Sequence, residues 1–388
     1  MNLNDKKIAL LLSGGVDSSV ALYELVRQGL QPDCFYIKIG PEKEAEWDCS
    51  SEEDLEMATA VSHKYGCKLE VIDCHKEYWN QVTTYTMDKV RAGLTPNPDV
   101  MCNRLIKFGA FDEKRGHDYD LIATGHYATT ESEECSPTVM NNEELRIPHS
   151  NIEQSENHST FHIHHSTLKW LCTSPDPVKD QTDFLAQIYD WQLEKALFPI
   201  GHMMKEEVRA IADREHLAPA HRRDSQGICF LGKINYNDYL RRYLGELPGD
   251  VVELETGKKI GGHKGHWFHT IGQRKGMGLG GGPWFVVKKD TEQNIVYVSH
   301  GYDPETAYKQ DFPIRDFHSI NGEAPRVADV TIKIRHTPEF LPARLEDMGD
   351  GRYMVYAQSP IHGVAPGQFC VVYDAEHHRC YGSGEITI

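Results

Sequence analysis

The chain of 388 residues lacks features that define several common classes of protein. The apolar run near its amino terminus, Ile8 to Leu12, is far shorter than the ~20 residues needed to span a membrane. No two of its ten cysteines have Cys-x-x-Cys spacing, which argues against a zinc knuckle. Basic residues are outnumbered by acidic ones, and the net charge of −17 argues against a globally basic nucleic-acid binder. We therefore expect a cytoplasmic protein with no membrane contact, in which any nucleic-acid surface is local.

The first part of the chain alternates strand and helix patterns. Such alternation predicts an α/β fold with a parallel sheet covered on both faces, and the length leaves room for two or three domains. Ligands bind beyond the carboxyl ends of such strands, which is where Ser13, Ile37 and Gly125 fall. Strands are predicted at 7–12, 34–39, 69–73 and 121–124, and helices at 18–28, 50–65 and from 77 onward.

Beyond residue 130 the pattern changes. The stretch 130–177 is rich in Ser, Glu, Asn and His, which predicts an excursion from the sheet, and its histidine run at 158–165 is interpreted as an exposed loop without a metal. An amphipathic helix is predicted at 205–216, and 249–283 is glycine-rich and locally basic. Short alternating strands separated by Gly and Asp turns, from about residue 328, predict a small antiparallel barrel.

The segment Ser13-Gly-Gly-Val-Asp-Ser-Ser19 lies between the first strand and the first helix. Its glycines let backbone N–H groups approach a phosphate, the helix start adds its dipole, and Asp17 could hold Mg²⁺. The segment has no Gly-Lys-Ser/Thr, so it is not the loop of enzymes that transfer a γ-phosphate. An ordinary strand-to-helix turn is the alternative.

Two cysteines far apart, Cys102 and Cys229, lie in segments that contain many polar and turn-forming residues, at 95–108 and 223–232. With the phosphate loop, they suggest that ATP activates a substrate which cysteine sulfur then attacks. That chemistry needs two thiols that can meet, because a thiolate attacks a disulfide-like sulfur efficiently. The alternative is two buried structural cysteines, which is our interpretation of the other eight.

The phosphate loop resembles the PP-loop of the ATP pyrophosphatases, which adenylate a carbonyl oxygen and release pyrophosphate. Further segments resemble motifs of the tRNA-specific 2-thiouridylase family and occur in the same order. The resemblance covers nearly the whole chain except 130–177. These segments are Thr95-Pro-Asn-Pro-Asp99 with Cys102-Asn-Arg and Ile106-Lys-Phe, Ala123-Thr-Gly-His126-Tyr-Ala, Lys179-Asp-Gln181, Gln226-Gly-Ile-Cys229-Phe, Thr270-Ile-Gly-Gln-Arg-Lys-Gly276 and Ala365-Pro-Gly-Gln368.

The resemblance implies a PP-loop domain, of the adenine nucleotide alpha hydrolase-like type, with a central tRNA-recognition domain and a C-terminal antiparallel β-barrel. The expected division assigns 1–198 and 218–234 to the catalytic domain, with a variable excursion at about 130–177. It assigns 199–217 and 235–304 to the central domain and 305–388 to the barrel.

The resemblance also implies ATP-dependent 2-thiolation of the wobble uridine at position 34 of tRNA. ATP, with Mg²⁺, would adenylate the uridine O2, and sulfur from a cysteine persulfide would replace that oxygen, with release of AMP and pyrophosphate. The expected partners are the anticodon loop of tRNA, with lysine, glutamate and glutamine acceptors, and a persulfide-donating sulfur carrier or cysteine desulfurase. The protein is expected to be monomeric.

Residue roles follow from the same resemblance. Cys229 would carry the persulfide, Cys102 would attack it or form a disulfide with Cys229, and Asp99 would act as acid or base. ATP contacts are expected from Leu11, Leu12, Ser13, Gly14, Gly15, Val16, Asp17, Ser18, Ile37 and Gly125. Contacts with tRNA are expected from Asn97, Pro98, Asp99, His126, Lys179, Asp180, Gln181, Arg335, His336 and Gln368. The chain departs from the family at Ile37, where methionine is frequent, and at Thr182-Asp183, where Ser-Tyr is usual.

Basic residues between Lys258 and Lys275 are expected to contact phosphates, which position an RNA without reading its sequence. A solvated face is the alternative for these residues. Other PP-loop ligases, such as an amidotransferase-type synthetase or tRNA lysidine synthetase, need no cysteine pair, so cysteine independence would favour them. Tight tRNA binding without ATP turnover would favour a non-catalytic tRNA-binding protein.

Overall fold

The computed structural model describes residues 3–39, 51–134, 167–223, 236–300, 308–323, 325 and 329–387. No helix in these ranges is long and apolar enough to cross a membrane. The helices described are α1 Val16–Arg27, α2 Ser51–Lys64, α3 His75–Tyr78, α4 Thr84–Arg91, α5 Pro98–Cys102, α6 Phe111–Lys114, α7 Thr182–Leu185, α8 Asp190–Lys195, α9 Lys205–Arg214 and α10 Tyr236–Leu244.

The strands described fall into three sheets. They are β1 Ile8–Leu11, β2 Asp33–Lys38, β3 Leu69–Asp73, β4 Leu121–Ala123, β5 Thr129–Glu134, β6 Thr167–Cys172, β7 Ala196–Leu197, β8 Gly249–Glu253, β9 Lys259–His263, β10 Trp284–Asp290, β11 Ile295–His300, β12 Tyr308–Ser319, β13 Asp329–Lys333, β14 Leu341–Gly349, β15 Arg352–His362, β16 Phe369–Tyr373 and β17 Arg379–Ile386.

The first sheet is parallel and five-stranded, in the order β3-β2-β1-β4-β7. Its central strand β1 is buried along its whole length, as expected for an apolar strand covered on both faces. Because β2, β1 and β4 are neighbours that run the same way, their carboxyl ends meet at one edge of the sheet. The predicted α/β architecture is therefore confirmed, and the phosphate loop lies at that edge.

Helix α9 was expected in the central domain. In the structure its buried residues Val208 and Ala212 pack in the same hydrophobic cluster as Val20 of α1 and Leu10 of β1. The helix thus covers the parallel sheet, which differs from the expected division of the chain. The amphipathic pattern located the helix but did not indicate which sheet its apolar face would meet.

A second, four-stranded sheet of mixed direction follows in the order β10-β11-β8-β9, with β11 parallel to β8. Its core contains Val251, Val286, Val296 and Val298. The sequence predicted only a glycine-rich, basic segment over much of this region. Helix α10 precedes the sheet and packs Tyr239 against the α4 region of the first domain, where its hydroxyl donates to Thr83.

The third sheet closes on itself. Strands β12, β15, β14, β13, β16 and β17 pair in that order, and β12 also pairs with β17, so the antiparallel barrel predicted from the sequence is confirmed. The hairpin of β5 and β6 extends the barrel, because Cys172 and Leu171 of β6 pair with Arg379 and Cys380 of β17. The flanks of the predicted excursion are therefore a structural arm between the first domain and the barrel.

Candidate active site

The phosphate loop begins directly after β1 and has a shape that only glycine permits at its second position. Gly14 has φ +77°, and a Cβ added there would lie 2.0 Å from the carbonyl oxygen of Asp54 in α2. Gly15 is the N-cap of α1, and no side chain caps that helix end. The first-turn N–H groups of a helix without a capping side chain suit a phosphate.

The serine hydroxyls of this loop divide into two groups. Ser18 Oγ accepts from the Ser13 N–H at 3.2 Å and donates to the Gly15 carbonyl at 3.2 Å, and Ser19 Oγ donates to the same carbonyl at 2.8 Å. Ser18 and Ser19 are buried, so their hydroxyls shape the loop from inside. Ser13 is exposed, which leaves its hydroxyl as the best placed of the three for a ligand.

The Asp17 carboxylate is held by two side chains of the protein itself. Its Oδ1 accepts from the Tyr127 hydroxyl at 2.9 Å and from Lys205 Nζ at 2.6 Å. The side chain of Lys205 is 13% exposed and that of Asp17 is 33% exposed, so the pair is shielded from water mainly on the lysine side. Mg²⁺ would have to compete with Lys205 for Asp17, and the structure therefore gives this carboxylate a role in holding α9 against the loop.

Arg222 forms a second cationic contact with the loop. Its Nη1 donates to the Gly14 carbonyl at 3.2 Å and pairs with Asp54 at 2.7 Å, while Nη2 lies 3.6 Å from Glu53. Arg222 thus bridges the phosphate loop to the first turn of α2. Neither Arg222 nor Lys205 was identified from the sequence, because both lie about 190 positions or more beyond the loop and no local pattern links them to it.

The other predicted ATP contacts lie at the same edge. Leu11, Leu12 and Val16 are buried and offer backbone groups, and Ile37 lies near the carboxyl end of β2 beside β1. A Cβ on Gly125 would lie 2.6 Å from the Ser18 nitrogen, so a glycine is needed where the β4 loop meets the start of α1.

His126 follows Gly125 but does not face solvent. It is 8% exposed, and its Nδ1 shares a hydrogen bond of 2.8 Å with the Thr124 hydroxyl. Its Nε2 lies 3.4 Å from Lys107 Nζ. Burial, and to a lesser extent Lys107, hold the pKa of His126 well below the ordinary value, so the imidazole is neutral at pH 7 and can accept from Lys107. In this state His126 positions Lys107 rather than offering itself to RNA.

The predicted base-contact segment opens helix α5. Asn97 is its N-cap, with Oδ1 accepting from the Val100 N–H at 3.3 Å, and Pro98 occupies the first turn. Both are preferred residues at those positions, which explains why this proline-rich stretch starts a helix. Asp99 and Cys102 are three positions apart on α5 and therefore share one face.

A cavity of about 220 Å³ lies beside this helix start. One wall contains Thr95 to Asp99, and the other is formed by residues of the second domain. The structure therefore brings Asn97, Pro98 and Asp99 together at a small pocket between two domains. Its lining residues are Val90, Leu94, Thr95, Pro96, Asn97, Pro98, Asp99, Tyr236, Trp267, His269 and Thr270.

Cys102 ends α5 and is completely buried. It packs in one hydrophobic cluster with Cys74, whose thiol pKa burial raises to about 11. A π-helical turn, Asn103–Ala110, follows Cys102 directly, and a Cβ on Gly109 would lie 2.9 Å from the Arg104 carbonyl oxygen. Such turns are frequent at functional sites. All seven cysteines in the described part of the chain are buried, so burial alone does not distinguish Cys102.

Gln368 reaches the same region from the barrel. The Thr95 N–H donates to the Pro366 carbonyl at 2.8 Å, and a Cβ on Gly367 would lie 2.7 Å from Leu94 Cβ. The side-chain Oε1 of Gln368 is buried without a hydrogen-bond partner. The barrel loop of Gln368 therefore packs directly on the segment that leads into α5.

The segment Lys179–Gln181 packs against the barrel through a buried ion pair. Asp180 and Lys333 are each 1% exposed, with Oδ2 and Nζ 3.1 Å apart, and Thr182 also donates to Asp180 at 2.8 Å. Burial raises the pKa of Asp180, and Lys333 opposes that rise. Gln181 Oε1 accepts from the Tyr127 N–H at 3.1 Å, while Lys179 is half-buried. Asp180 thus fixes this segment and does not itself offer a surface to RNA.

His336 and Arg335 lie beside that segment. His336 Nδ1 is 3.1 Å from Asp183 Oδ2, and its ring lies 4.6 Å from that of Phe184. Asp183, one of the positions singled out in the sequence, therefore pairs with His336 in this chain. Arg335 donates to the Gly363 carbonyl, and burial lowers its pKa. The two predicted tRNA-contact segments are therefore neighbours, and His336 is exposed.

A group with metal-ligand chemistry lies where the arm meets the barrel. Potential ligand atoms of Glu131, Cys172 and His378 lie within 4.8 Å of one another. His378 Nε2 is 2.7 Å from Glu131, and Arg379 pairs with Glu131 at 3.5 Å. Burial raises the pKa of Cys172 to about 12. The Cys172 thiol is therefore neutral, and the Glu131 carboxylate already has two basic partners, His378 and Arg379. We interpret this group as an ion-pair network that attaches the arm to the barrel.

Cys229 lies outside the described residues, so its distance from Cys102 is not part of the structure. The remaining predicted residues form two groups, one at the phosphate loop and one around α5 and the adjoining barrel loops. The sequence did not identify Lys205, Arg222, Trp267 and His269. The first two contact the phosphate loop, and the last two line the cavity beside α5.

Comparison with family models divides the chain into three matches. A domain described as tRNA methyl transferase HUP domain matches residues 6–233, and one described as tRNA methyl transferase PRC-barrel domain matches 237–300. An aminomethyltransferase beta-barrel domain matches 309–386. These three matches follow the parallel sheet, the mixed sheet and the closed barrel in order.

Curated relatives match over nearly the whole chain. The tRNA-specific 2-thiouridylase MnmA 1 of Bacteroides thetaiotaomicron is 54% identical over 384 residues, covering 98% of this chain and 99% of the relative. The tRNA-specific 2-thiouridylase MnmA of Parabacteroides distasonis is 52% identical over 385 residues, covering 98% of each.

Among solved structures, the U34-tRNA thiolase NcsA of Methanococcus maripaludis is similar at 16% identity and a TM-score of 0.33. The match covers 62% of this chain and 67% of that one. The curated relatives and the three domain matches show the family of this chain. The chain belongs to the tRNA-specific 2-thiouridylase family, which is a family of enzymes.

Proposed function

We propose that the protein catalyses ATP-dependent 2-thiolation of uridine 34 in tRNA. The observation that carries this proposal is the cavity beside α5, because its wall contains Asn97 to Asp99 and the same helix ends at Cys102. A small pocket beside the helix that carries a thiol fits a reaction in which a single splayed base receives sulfur. The relatives with 51–54% identity are named tRNA-specific 2-thiouridylases.

The residues of the phosphate loop fit a nucleoside triphosphate. The turn at Gly14, the uncapped start of α1 and the exposed Ser13 hydroxyl together form a cradle for anionic oxygens. Bound ATP would supply an activating adenylyl group for the uridine O2, with pyrophosphate as the first product and AMP as the second. Lys205 and Arg222 hold the loop in shape, and we propose that Mg²⁺ enters with the phosphates rather than on Asp17.

We propose that Cys229 carries the incoming persulfide. The Cys102 thiolate attacks the Cys229 sulfur, the persulfide S–S bond breaks, and the outer sulfur leaves as hydrosulfide, which displaces AMP from C2 of the uridine. A Cys102–Cys229 disulfide remains, and an external thiol reductant restores both thiols. Asp99, on the same face of α5 as Cys102, is the proposed acid or base near the target base. Because Cys102 is completely buried here, this step requires the cover over its thiol to move when tRNA binds. A protein persulfide carrier or cysteine desulfurase is the proposed sulfur donor.

For tRNA we propose a path that runs from the α5 cavity towards Lys179 and His336. Lys258, Lys264, Arg274 and Lys275 are exposed on the second domain and would neutralise phosphates. The acceptors proposed are the lysine, glutamate and glutamine tRNAs, and the enzyme is proposed to act as a monomer.

The direct test is formation of 2-thiouridine by the purified full-length protein. With ATP, an unmodified tRNA transcript and a cysteine desulfurase plus cysteine, digestion and mass spectrometry should detect 2-thiouridine only at position 34. Cys102→Ser and Cys229→Ser should abolish the product, whereas Cys370→Ser, in the barrel core, should keep it. Product formation by both of the first two variants would rule out the two-thiol mechanism and favour another PP-loop ligase chemistry.

A further inference from the structure

The cavity beside α5 has a second wall that belongs to the central domain. Trp267, His269 and Thr270 line the cavity together with the segment from Thr95 to Asp99. At about 220 Å³ the cavity is smaller than the ~300–1,000 Å³ of sites for drug-sized ligands. It suits one planar base better than a whole nucleotide. The wall therefore offers a splayed base a second surface beside the one that leads into α5.

This wall contains polar atoms that the protein leaves unpaired. Trp267 Nε1 and His269 Nδ1 are both buried without a hydrogen-bond partner, as is His266 Nδ1 in the same segment. An unpaired buried donor or acceptor costs free energy, and such groups in native proteins call for an explanation. The atoms are closed to water in this state, so pairing them requires the wall to move slightly as a ligand enters.

The backbone behind the wall is firmly held. Lys289 Nζ donates to the His269 carbonyl at 3.1 Å, and the Gly265 N–H donates to His263 Nδ1 at 3.0 Å. The Thr270 N–H donates to Gln273 Oε1 at 3.0 Å. Burial lowers the pKa of His269 to about 4, so its ring is neutral at pH 7 and offers one donor and one acceptor. A fixed backbone with neutral polar side chains suits an uncharged ligand.

We infer that Trp267 and His269 form the uracil-selective wall of the target-base pocket, with the His269 ring stacking on the base and the indole N–H of Trp267 bonding its edge. This inference rests on the proposed function. Aromatic side chains are common stacking partners of splayed RNA bases. The indole N–H is a donor only, so it pairs with a uracil carbonyl and is opposed by the amino group of cytosine. The wall thus supplies selectivity that phosphate contacts cannot.

The first experiment locates the base directly. The full-length protein is irradiated with a tRNA transcript that carries 5-bromouridine at position 34, and the cross-linked peptide is sequenced by mass spectrometry. The expected cross-link lies at Trp267 or His269. Cross-links confined to residues outside 265–270 would overturn the inference. This readout needs no turnover, so it separates the pocket from the proposed chemistry.

The second experiment measures selectivity with matched tryptophan variants. Anticodon stem-loops with U34 or C34 are titrated against the wild type, Trp267→Phe and Trp267→Leu. Trp284→Phe is the control, because Trp284 lies in the second sheet and its Nε1 already donates to Gly280. We expect Trp267→Phe, which removes the N–H, to reduce the preference for U34 about 10-fold and Trp267→Leu, which also removes the aromatic contact surface, to weaken U34 binding about 30-fold.

The outcomes separate the two levels of the proposal. A wild type that binds U34 selectively but makes no 2-thiouridine would contradict the proposed reaction and leave the pocket assignment standing. A folded Trp267→Phe with an unchanged U34 to C34 ratio, while Trp267→Leu behaves like Trp284→Phe, would overturn the assignment of the wall. Melting temperatures of all three variants show whether each one is folded.

Discussion

The phosphate loop draws its shape from consecutive residues, whereas the base cavity is assembled from segments that are far apart in the chain. In the loop, Ser13, Gly15 and Ser18 bond to one another within five positions. In the cavity, residues near position 97 face residues near position 267, and a barrel loop supports them from behind. The loop is therefore a local structure, and the cavity depends on how three domains pack together.

This difference predicts that substitutions impair the loop and the cavity in different ways. A local loop fails when its backbone cannot turn, and the failure reaches function directly because the same N–H groups would bind the ligand. An assembled cavity fails when the packing of its domains loosens, so changes far from the cavity should affect it through stability. Substitutions can separate these two kinds of failure.

The largest effect is expected from Gly14→Ala. The new Cβ would lie 2.0 Å from the Asp54 carbonyl oxygen, and the residue would have to keep a φ of +77°. The loop must therefore shift, which misplaces every N–H group that follows. We expect 2-thiouridine formation to fall on the order of 1,000-fold, with ATP affinity lost in calorimetric titration.

Gly29→Ala is the matched control for this prediction. Gly29 has φ +81°, but a Cβ there would meet nothing within 4 Å. It should cost roughly 1–2 kcal/mol of stability for the left-handed conformation and leave ATP affinity unchanged. Equal loss of ATP affinity in both variants would mean that global stability, and not loop geometry, limits the phosphate site.

The next largest effect is expected from Lys333→Met, which tests the packing of the barrel. Its partner Asp180 is 1% exposed, so removing the cation leaves a buried carboxylate without its charge partner. We expect a loss of about 3 kcal/mol in the free energy of unfolding in urea. The loss should shrink as the pH falls, because burial raises the pKa of Asp180 and protonation removes the unpaired charge.

The double variant Asp180→Asn with Lys333→Met provides the control. It removes both charges, so most of the lost stability should return. If the double variant is as unstable as Lys333→Met alone, the lysine contributes through packing, for example over the ring of Phe340 at 4.1 Å, and not through charge.

The same contrast explains how much the sequence could predict. Strand and helix periodicity located the parallel sheet and the barrel, and a seven-residue pattern located the phosphate loop, because these depend on neighbours in the chain. The approach of Lys205 and Arg222 to the loop depends on tertiary packing that one sequence does not display. The second wall at Trp267 and His269 was missed for the same reason, since its segment was interpreted only as glycine-rich and basic.

Acid should weaken the cavity wall more than the phosphate loop. Burial lowers the pKa of His266 and of His269 to about 4. In the unfolded chain these rings take up protons near pH 6.5, whereas in the folded protein they do so only near pH 4. Their contribution to the free energy of unfolding is therefore complete above pH 6.5 and is lost as the pH falls towards 4. We expect about 1–2 kcal/mol for each ring between pH 7 and 5, measured by urea unfolding.

Replacing both rings tests this origin of the acid sensitivity. The variant His266→Gln with His269→Gln should have a flatter dependence of stability on pH between 7 and 5. A slope equal to that of the wild type would assign the acid sensitivity to other groups.

The smallest effect is expected from Asp183→Asn, at the outer end of the proposed RNA path. Asp183 lies 3.1 Å from Nδ1 of His336, whose side chain is 40% exposed, so solvent weakens the pair. We expect a stability change of about 0.5 kcal/mol and a rise of about 3-fold in the KM for tRNA, with kcat unchanged, because the ion pair orients His336 without touching the reacting atoms. Glu339→Gln, which removes a negative charge from the same exposed loop, should leave both kinetic constants unchanged. A fall in kcat for Asp183→Asn would instead link this pair to the cavity beside α5, and the barrel would then influence the reacting base as well as the docking of the RNA.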